Sequence, residues 1–123
     1  MEIIVAVKSG YTILTPQEGL LDNQAQILIE KIKEQQQQVG GRNFIISMKN
    51  CTDIDSPSAY ALLELHHSIY EHTGSLVFCE LTNVVLQKLK QEQLHLSLNL
   101  TPTFIEAADI VNMEMLEREL YND

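Results

Sequence analysis

The sequence predicts a single α/β domain, residues 1–123, built on a mixed sheet of about five strands with about four helices. Three observations carry this. Short β-prone runs alternate with longer segments of helical period along nearly the whole chain. A length of 123 residues suits one compact unit around one core. The first two β-prone runs flank Ser9-Gly10, a hairpin signal that makes one pairing antiparallel in an otherwise parallel sheet.

The first strand is expected over Ile3 to Val7 and the second over Tyr11 to Thr15. An amphipathic helix follows from about Asp22 to Gln38, with Ala25, Leu28, Ile29 and Ile32 at helical spacing and Asp22 as its N-cap. The polar run Gln35 to Gln38, followed by Val39-Gly40-Gly41, reads as the end of that helix and its stop signal. Phe44 to Met48 is nearly continuous in apolar residues and suits a buried central strand. A polar loop, Asn50 to Ser56, leads to a helix from about Pro57 to His72 that stops at Gly74, with Leu62, Leu65 and Ile69 as its core stripe. Leu76 to Cys79 reads as another buried strand. A helix over Asn83 to about Gln91 turns Val85, Leu86 and Leu89 inward. Leu96 to Leu100 is the last expected strand. The final helix starts near Thr103, where Thr103 and Glu106 match a capping box, and buries Phe104, Ala108, Val111 and Met115. The order is β-β-α-β-α-β-α-β-α. Periodicity leaves open whether the helices cover one face of the sheet or both.

Composition narrows the function classes. Hydrophobic residues make up 45% of the chain and charged residues 20%, as in ordinary globular domains. The formal net charge is −9, with eight scattered Lys and Arg. Nucleic acids and anionic membranes both require clustered cations, so neither is an expected direct partner. No apolar run approaches the roughly 20 residues that cross a bilayer. Met1-Glu2-Ile3-Ile4 lacks the basic stretch of a signal peptide, and a cytoplasmic location is expected. Cys51 and Cys79 match no zinc or redox spacing and read as buried free thiols.

The segment richest in chemistry is Asp53-Ile54-Asp55-Ser56-Pro57-Ser58, where a buried strand gives way to a helix. Pro57 fits the first helical position, which makes Ser56 the N-cap, at the positive end of the helix dipole. A plain capping serine accounts for this pattern. A nucleophilic serine needs a base, and three of the four candidates, His66, His67 and His72, lie ten or more residues along the same helix, with His95 elsewhere. All four histidines read as helix-surface residues. The chain has no nucleophile elbow, no phosphate-binding glycine loop and no HExxH or Cys/His cluster. No catalytic residue, metal or cofactor is therefore expected. The carboxylates Asp22, Asp53 and Asp55 fall at helix starts and loops near one end of the sheet.

Asp55-Ser56, after a strand and an apolar Ile54 and opening a helix, resembles the Asp-Ser-(Ser/Thr)-Gly signature of STAS domains. Gly19-Leu20-Leu21-Asp22 is similar to the family's Gly-x-(Leu/Ile)-Asp before the first helix. The segments Thr82 to Leu89 and Phe104 to Ala108 resemble the third helix and the start of the last one. The resemblance spans nearly the whole chain in order. It implies a regulatory protein-binding module of the anti-sigma-factor-antagonist type and not an enzyme. In that branch a serine-protein kinase, which is also the anti-sigma factor, binds the unmodified domain and phosphorylates the serine after the Asp; a phosphatase reverses this. Carried over, the phosphorylated residue is Ser56, Asp55 is the motif acid and Asp22 the acid at the first helix; with Ser58, Tyr60 and Leu63 along the helix that follows, these make up the expected partner-binding set. This chain departs from the pattern where Pro57 and Ser58 replace a small polar residue and Gly, and where the bulky Tyr60 follows. An unphosphorylated scaffold assembling with itself or with other STAS proteins is the alternative, with a small hydrolase third. Helical spacing places Tyr60, Leu63 and His67 on a flank beside the core stripe, either as further core or as an exposed anchor.

Overall fold

The computed structural model describes residues 1–38 and 40–121. Strands β1 (Ile3–Val7) and β2 (Thr12–Pro16) form the antiparallel hairpin, with Val5 opposite Leu14. Strand β3 (Asn43–Ser47) pairs parallel to β2, β4 (Ser75–Cys79) parallel to β3, and the two-residue β5 (Leu100–Thr101) parallel to β4. The sheet order β1-β2-β3-β4-β5 is the chain order. Helices α1 (Gln24–Gln38), α2 (Ser56–Glu71) and α3 (Asn83–Gln91) connect the parallel strands, and α4 (Phe104–Tyr121) ends the chain. Val39, part of the expected helix stop, lies outside the described residues; Gly40 beside it takes a left-handed φ of +64°.

Chain order decides how the layers form. Each crossover advances the sheet in the same direction, and right-handed crossovers that do so keep their helices on one face. Leu28 and Ile32 of α1, Leu62 and Ile69 of α2, and Val85 and Leu89 of α3 accordingly share a core with Leu14, Phe44, Ile46, Leu76 and Phe78. Helix α4 turns back under the other face, where Ala107 and Val111 meet Ile45, Val77 and Cys79. The central strands β3 and β4 are therefore buried on both faces, which explains their unbroken apolar runs. Tyr70 of α2 links the layers: its hydroxyl donates to Glu114 of α4 at 2.8 Å and accepts from the Asn99 amide at 2.6 Å. Burial and the adjoining Glu114 push that phenol up to about 12.

Four expectations need correction. Helix α1 starts at Gln24, because Asp22 and Asn23 both take left-handed φ values, 53° and 68°, so Asp22 is not its N-cap. The expected strand from Leu96 begins instead as a 3₁₀ turn, Leu94–Leu96. Leu94 and Leu98 are buried while Leu96 is 80% exposed, a helical spacing that overrides the alternating Leu96-Ser97-Leu98-Asn99-Leu100 pattern. His66 and His95 are half-buried rather than on the surface. His66 packs against the Tyr70 ring at 4.6 Å, and burial, with His67 beside it, holds its pKa below the usual imidazole range. The fourth correction concerns Ser56.

Candidate functional site

The lead-ins to α1 and α2 lie side by side outside the carboxyl ends of the parallel strands. Leu20 and Ile54 form an isolated parallel bridge, with the Leu20 amide donating to the Asp53 carbonyl at 2.9 Å and the Asp55 amide to the Leu20 carbonyl at 3.2 Å. Gly19 permits this approach, since a Cβ there would lie 3.1 Å from the Asp53 carbonyl oxygen. The carboxylate of Asp55 then joins the two segments. Its Oδ1 accepts the Ser58 amide at 2.9 Å and its Oδ2 the Asp22 amide at 2.9 Å.

Asp55, in extended backbone, is therefore the N-cap of α2, and Ser56 is the first helical residue. An aspartate reaches the third amide as well as a serine does and adds a charge that favours the positive end of the helix. Pro57 follows within the first turn, where its missing N–H costs nothing. The Ser58 side chain, together with the amides of Asp22 and Ser58, holds the Asp55 carboxyl below the usual carboxylate range. Relieved of the capping role, the exposed Ser56 hydroxyl donates to Glu92 Oε1 at the end of α3. The other Glu92 oxygen accepts the Tyr60 hydroxyl at 3.1 Å, and that carboxylate raises the Tyr60 phenol pKa. Lys88, one turn back on α3, pairs with Asp53 and, with the Ile54 amide, keeps that carboxyl low. Ser56, Lys88 and Glu92 line a cleft of about 290 Å³ between α2 and α3.

The expected site residues separate. Asp22, Asp55, Ser56 and Tyr60 gather at this edge, with Tyr60 47% exposed. Ser58 is 2% exposed, so it serves by holding Asp55 and offers no side chain to a partner. Leu63 is half-buried against the main core and belongs to its flank. Glu92 and Lys88 were not legible as site residues. They lie 36 and 35 positions from their partners Ser56 and Asp53, and the third-helix resemblance that includes Lys88 assigns neither a role. Among the described residues none of the histidines weighed as bases hydrogen-bonds to Ser56, whose hydroxyl donates to a carboxylate. Among the described residues no group of three or more His, Cys, Asp and Glu could hold a metal ion. No helix among them is long and apolar enough to cross a membrane.

A five-stranded mixed sheet with three helices on one face and one on the other, its polar groups gathered outside the strands' carboxyl ends, defines a small α/β module. The chain belongs to the STAS domain family, whose model matches residues 2–107. TM1081 of Thermotoga maritima superposes with a TM-score of 0.80 at 18% identity, over 89% of this chain and 94% of that one. The anti-sigma factor antagonist SpoIIAA in its unphosphorylated form gives 0.70 at 17% identity, over 90% and 96% of the two chains. A glutamate-for-serine variant of RsbS from Moorella thermoacetica gives 0.73 at 14% identity, over 91% and 96%. At such identities the likeness is one of fold. No curated protein matches the chain by sequence.

Proposed function

We propose that this chain is a cytoplasmic, regulatory protein-binding module that binds a serine-protein kinase acting as an anti-sigma factor and is switched by phosphorylation of Ser56. The observation that carries the reading is the state of Ser56: an exposed hydroxyl fixed on the first turn of α2 by the Asp55 cap and joined through Glu92 to the exposed Tyr60. A partner that docks here meets an aromatic anchor beside carboxylates, and Tyr is enriched among residues that carry interface energy. The similarity to SpoIIAA in an unphosphorylated form, and to an RsbS variant with glutamate in place of serine, supports a modified serine in this fold.

Phosphorylation acts through charge. A phosphoserine adds roughly −1.5 to −2 charges at neutral pH. It removes the hydroxyl proton that Glu92 accepts and sets a dianion beside that carboxylate. Each pair of unit charges at about 4 Å repels by about 1 kcal/mol in water and by several times that when a partner excludes water. The modified serine therefore parts from Glu92, and the added charge enters the contact surface. A phosphatase restores the hydroxyl and the bond.

The test compares capture of partners from lysate by the Ser56→Ala and Ser56→Asp proteins, followed by the affinity of each for the captured kinase. Ser56→Ala retains the partner. Ser56→Asp weakens it about a hundredfold, equivalent to about 2.7 kcal/mol. Equal affinities of the two folded variants refute the switch, and capture of other STAS proteins without a kinase favours the scaffold alternative.

A further inference from the structure

The outer side of α4 carries four large apolar side chains where solvent would call for polar residues. Ile105, Met113, Leu116 and Leu120 are 73%, 60%, 56% and 66% exposed. Spaced by eight, three and four residues, they fall on one side of the helix, opposite the buried Ala107 and Val111, with the exposed Asp109 on the same side between Ile105 and Met113. A helix apolar on both sides is expected between two layers, and α4 has a layer on only one. The last three of these residues lie beyond residues 2–107, the span that the family model matches.

Charge selects the occupant. Exposed Glu106 and Glu117 flank the stripe on one side and Glu119 on the other, and Asp109 lies within it. Its one basic residue, Arg118, turns inward, donating to Asn43 Oδ1 at 2.8 Å and Ser75 Oγ at 3.0 Å. Glu114 is also drawn in, by Tyr70. The outward charge of α4 is thus wholly acidic. A second copy docked symmetrically would set these carboxylates against their own kind, and like-charge juxtaposition in a contact is costly. Phosphate-bearing surfaces are repelled for the same reason. A protein helix with an apolar face and Lys or Arg flanks matches both features. From Ile105 to Leu120 the stripe is about 22 Å long, the length of about four helical turns.

We infer that the outer face of α4 is a docking surface for an amphipathic, basic-flanked helix of a partner protein. It lies on the opposite side of the sheet from the layer that carries Ser56, so the two surfaces can be occupied independently.

The probes are two synthetic 18-residue helical peptides with the same Leu face, one flanked by Lys and one by Glu, titrated at physiological salt into the ¹⁵N-labelled full chain. The Lys peptide binds and shifts amides over residues 105–121. Leu116→Ser weakens it at least tenfold, while Ser56→Asp leaves it unchanged, which separates this surface from the serine switch. The Glu peptide does not bind. Met113→Ser repeats the loss where Leu116→Ser alters thermal stability. The inference is overturned if the Lys peptide fails to bind, shifts residues elsewhere or binds no better than the Glu peptide. It is overturned equally if sedimentation reveals a dimer that Leu116→Ser abolishes.

Discussion

Asp55 holds the lead-ins of two helices with one carboxylate, so its replacement by alanine is the sharpest test of how the site is built. The change removes the N-cap bond from the Ser58 amide, worth about 1 kcal/mol. It also frees the Asp22 amide, a net hydrogen bond of about 1 kcal/mol at a charged acceptor near the surface. Together the loss is about 2 kcal/mol. Unfolding entropy near 2.1 cal/mol/K per residue over 123 residues converts this to a fall in Tm of about 8 °C. Asp55→Asn keeps an amide oxygen for the Ser58 N–H but loses the charge, and falls by about half as much. Acid titration supplies a second readout. The folded carboxyls of Asp55 and Asp53 titrate below their usual range, so their stabilisation is fully present above the unfolded value and is lost as pH falls through the folded one. Stability therefore declines below about pH 4, and less steeply in Asp55→Asn. Thermal unfolding followed by circular dichroism between pH 2.5 and 7 measures both effects. A change in Tm under about 2 °C for Asp55→Ala at neutral pH would refute the reasoning, since it would leave no cap to lose.

Two further outcomes follow from the packing. A Cβ at Gly74 would overlap the Arg42 carbonyl oxygen and crowd Ile69 Cγ2 at 2.9 Å, and a backbone atom cannot swing aside. Gly74→Ala should therefore cost about 3 kcal/mol, read as the shift in the urea midpoint; a neutral effect would mean that the β3–β4 crossover yields. Cys51 and Cys79 are both fully buried, and burial, with Glu80 beside it, pushes the Cys79 thiol up to about 12. Neither should react with an aromatic disulfide at pH 8 until the chain is unfolded; a thiol titrating in the native protein at the rate of free cysteine would contradict the core assignment.

The order of elements could be read along the chain because it rests on local signals. Apolar runs at Phe44 to Ile46 and Leu76 to Cys79, the glycine of the hairpin and the Thr103–Glu106 cap each act within a few residues. Asp55 was legible for the same reason, since it caps its own helix at Ser58, whereas Gly19 is demanded by the Asp53 backbone 34 residues along the chain. Boundaries slipped where two local preferences competed. Asp55 and Ser56 are both good caps, and the helix took the one whose second oxygen could also bind Asp22, a contact 33 residues away. The Leu96 segment alternates apolar and polar residues like a strand, but burying Leu94 and Leu98 together demanded a turn. Helix α4 lies on the far face because the chain has run out of sheet to cross, a consequence of topology that no window of sequence contains. The pairing of Ser56 with Glu92, and of Tyr60 with the same carboxylate, likewise arises where α2 and α3 pack side by side on the sheet. Elements follow from neighbours in the chain, whereas a site is assembled from side chains that become neighbours only when burying the core brings their helices together.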